Sequence, residues 1–309
     1  MSALQQSLAD YLAVRRALGY KLVRPGKLLA QFLEFLDDAG APMITTELAL
    51  RWATLPARAG GSWWSYRLST VRGFAAHLHT IDPACEVPPA DLLAFRPSRR
   101  TPYIYAAQEI LALMSASEML RTEHRVATYR TLIGLLSVTG MRIGEAIRLD
   151  RGDFDTQHAL LTVRDSKFGK SRQLPLHHSA SDALGRYLRR GDRPTPTEPT
   201  AAVFVSSAGT RLLYCGVQHT FAGLLDRAGL PPRSAACRPR LHDVRHSFAV
   251  RSVLDAYRSG ADVNARLPLL STYLGHVNPG STYWYLQAAP ELLGIAGERL
   301  EQHLQGGAR

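Results

Sequence analysis

The chain has 309 residues, enough for about two domains. With 46% hydrophobic and 20% charged residues it can bury a real core, which excludes disorder as its main state. Thirty-seven Lys and Arg against 26 Asp and Glu leave a formal charge of +11 and a pI near 9.9. A polyanion is therefore the expected large partner, with a merely basic surface as the bland alternative. No apolar run approaches the roughly 18 residues of a spanning helix, and the start MSALQQSLADYLAVRR lacks a signal-peptide layout. A cytoplasmic protein with no membrane partner is expected. Cys85, Cys215 and Cys237 are isolated and form neither a metal pattern nor a disulfide framework.

In chain order, the first eighty residues read as helices. Leu4, Leu8, Tyr11 and Leu12 share one face, and Leu29, Phe32, Leu33 and Leu36 another before a stop at Gly40. Thr45 or Thr46 caps a helix through Leu55, and Ser62 opens a longer one after the Gly60-Gly61 break. Its Arg67 and Arg72, beside Trp63, Trp64 and Tyr66, form either a polyanion-facing surface with aromatics behind it or a packed helix with a basic exterior. From Asp82 to Pro102 repeated prolines and Arg96, Arg99 and Arg100 predict a linker, crossing a phosphate backbone or simply solvated. Beyond it, AAQEILALMSAS and TYRTLIGLLSVTG are helical, and ALLTVRD and RQLPLH are short strands around the hairpin loop SKFGKS. Mostly helical segments resume to the end, after a proline-rich loop at DRPTPTEP.

Four short stretches in the second unit carry chemistry. In Thr139-Gly-Met-Arg-Ile-Gly-Glu145, Arg142 and Glu145 are helical neighbours that can pair. In Leu241-His-Asp-Val-Arg-His-Ser-Phe248, His242 and Arg245 share a face. Leu274-Gly-His276 and Ser281-Thr-Tyr-Trp-Tyr285 follow, the last beyond a turn at Asn278-Pro279-Gly280. Only Lys21, Lys27, Lys167 and Lys170 are lysine, so two of four lie in one hairpin loop, which fits a demand for a titratable cation as well as the ordinary polarity of turns.

TGMRIGEAIRL, the SKFGK hairpin, HDVRHSFA, YLGH and a tyrosine nine residues past that histidine resemble, in order and spacing, the tyrosine recombinase/phage integrase family, including its chromosome-dimer-resolving and mobile-element members. The resemblance implies a mainly α fold with a small antiparallel β-sheet. Residues 1–98 would be a helical, SAM-like core-binding DNA-binding domain, 99–102 the end of a linker, and 103–309 an α+β catalytic domain, the two domains closing as a C-shaped clamp on double-stranded DNA. It implies Arg142 and Arg245 as the pair that grips the scissile phosphate, Tyr285 as nucleophile, Lys167 as the acid for the leaving 5′ oxygen, and His242 and His276 at the remaining catalytic positions. His242 would be the base, and Glu145 would support Arg142. Arg67, Arg72, Arg99 and Arg100 are candidate DNA contacts. The implied reaction is metal-free and cofactor-free strand exchange through a 3′-phosphotyrosyl link and a Holliday junction, by a homotetramer on two sites or an assembly with a related recombinase, associated with the nucleoid when bound.

The chemistry wants these residue types. Charge gathers on the nonbridging oxygens of an attacked phosphodiester, and rigid guanidinium forks donate to them in pairs. A phenol of pKa about 10 is scarcely ionised at neutral pH, so it needs a base. Arginine is a poor proton donor, whereas lysine can serve. Tyr283 and Tyr285 point to nearly opposite sides of a helix, and family spacing selects Tyr285. Three alternatives stand beside this. One is a DNA-binding accessory without catalysis, and another is a type IB topoisomerase. The third, a zinc site on His242 and His246, lacks the usual glutamate, replaced by Asp243, and a third ligand. The segment PELLGIAGERLEQHL offers Leu292, Leu293, Ile295 and Leu300 for packing, on a neighbouring protomer or on its own domain.

Overall fold

A computed structural model describes residues 3–93, 100–165, 169, 171–194, 201–275, 280, 294 and 297. The chain divides into two compact units, Met1–Arg99 and Arg100–Arg309. Among the described residues, four helices make the first: α1 (Ala3–Ala17), α2 (Val23–Asp38), α3 (Thr46–Thr54) and α4 (Gly61–His79). Thr45 starts α3, its Oγ1 accepting from the Leu48 N–H at 3.3 Å. The helical-period stripe Leu29, Phe32, Leu33 and Leu36 of α2 meets Trp52 of α3 and Leu68, Val71 and Phe74 of α4 in the core of this unit.

Arg67 overturns the expectation of a polyanion-facing position. It is 7% exposed, donates to the Trp52 carbonyl at 2.7 Å and stacks its guanidinium over the Trp52 ring. The cause is phase: 67, 71, 74 and 78 form one stripe along α4, so Arg67 enters the core with Val71, Phe74 and Leu78. The aromatics expected behind it lie further out, Tyr66 exposed and Trp63 half-buried beneath Arg24. Arg72 is half-buried, with Nε donating to the Pro88 carbonyl at 2.9 Å.

The second unit contains α5 (Ala107–Ala116), α6 (Glu123–Thr139), α7 (Ile143–Arg148), α8 (His178–Leu188), α9 (Tyr214–Arg227), α10 (Asp243–Arg258) and α11 (Val263–Leu274). An antiparallel sheet of β1 (Phe154–Asp155), β2 (Leu160–Val163) and β3 (Arg172–Pro175) stands in that order. Helix α6 is central, burying Leu132, Ile133 and Leu136 against its neighbours α5, α8 and α10. It starts at Glu123 rather than near Thr128 because Thr122 caps it, its Oγ1 accepting from the Arg125 N–H. In the sheet Leu161 faces Leu174 and Val163 faces Arg172. Residues directly opposite in an antiparallel pair share a face, so Arg172 is aligned with buried Leu161, Val163 and Leu174. Among the described residues, no helix is long and apolar enough to cross a membrane.

Candidate active site

The site is built where α6 ends. Gly140 closes that helix in the left-handed conformation, with φ +58°, and a Cβ there would meet the Phe248 ring at 2.3 Å. Only glycine allows both the turn and the close approach of α10. The tight exit sets Arg142 as the cap of α7 and buries Glu145 one turn on, 3% exposed. Glu145 takes the Arg142 backbone N–H on Oε2 and the Arg142 guanidinium on Oε1, both at 2.9 Å. Arg172 donates to the same two oxygens, at 3.2 Å to Oε1 and 2.8 Å to Oε2. Burial alone would raise the Glu145 pKa, but the hydrogen bonds and charges of Arg172 and Arg142 overcome it and hold the carboxyl at about 2.

Arg245 rises from the first turn of α10 and is 2% exposed. It donates to the carbonyls of Gly140 and Leu274, each at 2.7 Å. The helix start is pinned by Asp243, which accepts from the Arg240 backbone and guanidinium at 2.9–3.1 Å and lies 3.1 Å from His246 Nδ1. The buried His246 is thus engaged with the helix's own carboxylate, and its ring meets that of His242 edge-on at 4.8 Å. His242 caps α10 and reaches solvent. Protein crowded around it, then the charges of His246 and Arg245, with Arg142 a lesser influence, push its pKa down to about 4. It is therefore a neutral imidazole at pH 7, able to accept a proton.

The elements meet at the end of α11. Gly275 terminates that helix with φ +68°, leaving its last carbonyls without helical partners. Three guanidiniums take three successive ones: Arg172 Nε the Tyr273 carbonyl at 2.7 Å, Arg245 that of Leu274 at 2.7 Å, and Arg142 that of Gly275 at 3.1 Å. Cations at a helix C-terminus also oppose its dipole. Arg142, Glu145, His242 and Arg245 are therefore brought together. Arg100 is exposed in the second unit. Lys167, His276, Tyr285 and Arg99 lie outside the described residues, as do Leu292, Leu293, Ile295 and Leu300. Sequence reasoning missed Arg172. The signal was there: in RQLPL it stands in phase with Leu174 and Leu176, both buried, so a strand reading puts a guanidinium on the core face.

Such a floor presents rigid, oriented N–H donors beside a neutral imidazole, a suitable seat for a phosphodiester that gains negative charge during reaction. Comparison with known proteins agrees with this chemistry. The family model described as Phage integrase family matches residues 104–291. The y4rB protein of Sinorhizobium fredii, which carries the name integrase/recombinase, is 42% identical over 98% of this chain and 98% of its own. Tyrosine recombinase XerD of Mycobacterium tuberculosis is 34% identical over 61% of this chain and 58% of its own. Among solved structures, a lambda integrase tetramer bound to a Holliday junction has the same fold, with a TM-score of 0.60 and 19% identity over 91% of this chain and 76% of its own.

Proposed function

The chain belongs to the phage integrase family, as a tyrosine recombinase, and from that premise we propose that Arg142 and Arg245 grip a DNA phosphate which Tyr285 attacks. The Tyr285 oxygen bonds to phosphorus as the bond to the 5′ oxygen breaks, leaving a 3′-phosphotyrosyl link and a free 5′ hydroxyl. His242 takes the phenolic proton and Lys167 supplies one to the leaving oxygen, with His276 on the same phosphate. The free hydroxyl of a partner strand then reverses the chemistry and releases Tyr285. Two such rounds on two sites pass through a Holliday junction, with four protomers, or with protomers of a related recombinase among them. The first unit grips the same duplex; Arg72, Arg99 and Arg100 are candidate backbone contacts, and Arg67 is not.

The observation that carries this reading is the convergence of Arg142, from the start of α7, and Arg245, from α10, on the adjacent carbonyls of Gly275 and Leu274. A guanidinium has five N–H donors, so Arg142, bonded through it to Glu145 and to the Gly275 carbonyl, retains capacity for phosphate oxygens while anchored. A well-placed donor of this kind is worth about 3 kcal/mol of barrier. A phosphate next to His242 would raise its pKa from about 4 toward neutrality, improving it as a base at the moment of need. Affinity rests on phosphate contacts and falls steeply with salt.

The test is covalent capture. A randomised duplex library carrying single nicks is incubated with wild type, and adducts that survive detergent are recovered and sequenced. Wild type is expected to select a defined duplex, and Tyr285→Phe to bind that duplex but form no adduct. Adducts from Tyr285→Phe, or none from wild type, would refute the proposal.

A further inference from the structure

We propose that Arg172 is a positioning residue for strand cleavage, acting through Glu145 and the Tyr273 carbonyl to aim Arg142 and to hold the end of α11. The inference rests on the recombinase reading above and adds a residue to its machinery. Its ground is a shared carboxylate. Both oxygens of Glu145 are divided between two arginines, Arg142 giving its backbone N–H and one guanidinium N–H, and Arg172 giving two guanidinium N–H groups at 3.2 and 2.8 Å. Glu145 thus touches Arg142 at both ends of that residue, and the plane of its carboxylate is set from the other side by Arg172. Any rotation of Arg172 turns the carboxylate and with it the fork meant for phosphate.

The same guanidinium also donates Nε to the Tyr273 carbonyl at 2.7 Å, next to the carbonyls held by Arg245 and Arg142. A Cβ at Gly275 would stand 3.1 Å from its Nη1, so Arg172 packs directly against the turn that ends α11. Only 13% of its side chain is exposed, and none of its named bonds reaches outward, so its work is on the frame and not on DNA. Lysine cannot replace it: one ammonium is a point charge and cannot grip both carboxylate oxygens and a carbonyl in a fixed plane.

The experiment uses the duplex recovered by covalent capture and measures, for each full-length variant, DNA affinity and the single-turnover rate of adduct formation. Arg172→Lys keeps the charge and is expected to keep affinity while slowing adduct formation by at least about tenfold, the scale on which misplacement of a reacting geometry acts. Arg172→Gln combined with Glu145→Gln removes both charges while leaving an amide pair. It separates the loss of net charge from the loss of the oriented fork, and is expected not to recover the rate lost in Arg172→Gln. The inference is overturned if Arg172→Lys cleaves as fast as wild type, if affinity and rate fall together, or if the neutral pair restores the rate. Absence of any adduct from wild type is a different result, one that sinks the recombinase reading first and this inference with it.

Discussion

Gly140→Ala tests whether the exit from α6 is the hinge on which the site depends. Two costs can be worked out separately. An alanine at φ +58° sits in the left-handed region, at roughly 1–2 kcal/mol. Its Cβ would lie 2.3 Å from Phe248 Cδ1, 2.9 Å from Cγ and 3.1 Å from Leu274 Cδ2, so a half-buried aromatic ring packed against the core must move, at about 1–3 kcal/mol. The sum, about 2–5 kcal/mol, is to be measured by urea unfolding followed by far-UV circular dichroism. The two costs are then parted with Phe248→Ala, which removes the ring that collides. In that background the second substitution is expected to cost only the backbone share, so the double variant is more stable than the two singles added together. A loss below about 1 kcal/mol for Gly140→Ala, or strict additivity with Phe248→Ala, would refute the reasoning. The same substitution displaces the Gly140 carbonyl that receives Arg245, so adduct formation should fall further than stability alone accounts for.

Two further predictions follow from buried charge. Glu145, held at about 2, binds no proton at neutral pH, whereas the same group in the unfolded chain titrates near 4.5; the resulting stabilisation, about 3 kcal/mol, is fully present above pH 4.5 and lost as pH falls toward 2. Glu145→Gln should therefore be less stable by about 3–5 kcal/mol at pH 7, the lost carboxylate leaving two guanidiniums short of counter-charge. The gap should close as unfolding is measured from pH 4.5 downward, and a gap that stays constant over that range contradicts the assignment. Arg67→Ala should destabilise the first unit by about 2–4 kcal/mol, the worth of a charged hydrogen bond and a buried cation–π contact. The salt dependence of DNA affinity should keep its slope, where loss of a phosphate contact would lower it by about one.

The helices of the first unit were legible because their apolar positions recur at a strict period and polar residues such as Thr45 mark their starts. The site's arginines were legible through the resemblance that TGMRIGEAIRL and HDVRHSFA carry to the tyrosine recombinase/phage integrase family; their spacing alone predicts no more than helical neighbours. Two failures have a common physical origin. Arg67 reads as a candidate DNA contact and Arg172 is passed over, whereas the phase of the element each sits on decides where it points. Arg67 follows the 67, 71, 74, 78 stripe of α4, and Arg172 shares the inner face of β3 with Leu174. Strand β1, only Phe154–Asp155, was not legible because two residues are too few to show alternation. The carbonyl cluster at the end of α11 could not be read at all, since no side-chain pattern records which backbone oxygens a distant guanidinium will find.

Among the described residues, the carboxylates that pair with Arg142, Arg172 and Arg240 are Glu145 and Asp243, while Arg245 rests on the carbonyls of Gly140 and Leu274. Arg142 and Arg172 share one carboxylate and Arg245 stands beside them, so like charges gather on this floor and repel one another. Repulsion of that kind is relieved by whatever anion arrives, and weakened by simple electrolyte. The resting fold should accordingly melt later as salt rises, and later still with an occupied floor. Part of what looks like a structural weakness is thus an energy reserve, released when the backbone of a nucleic acid settles onto it.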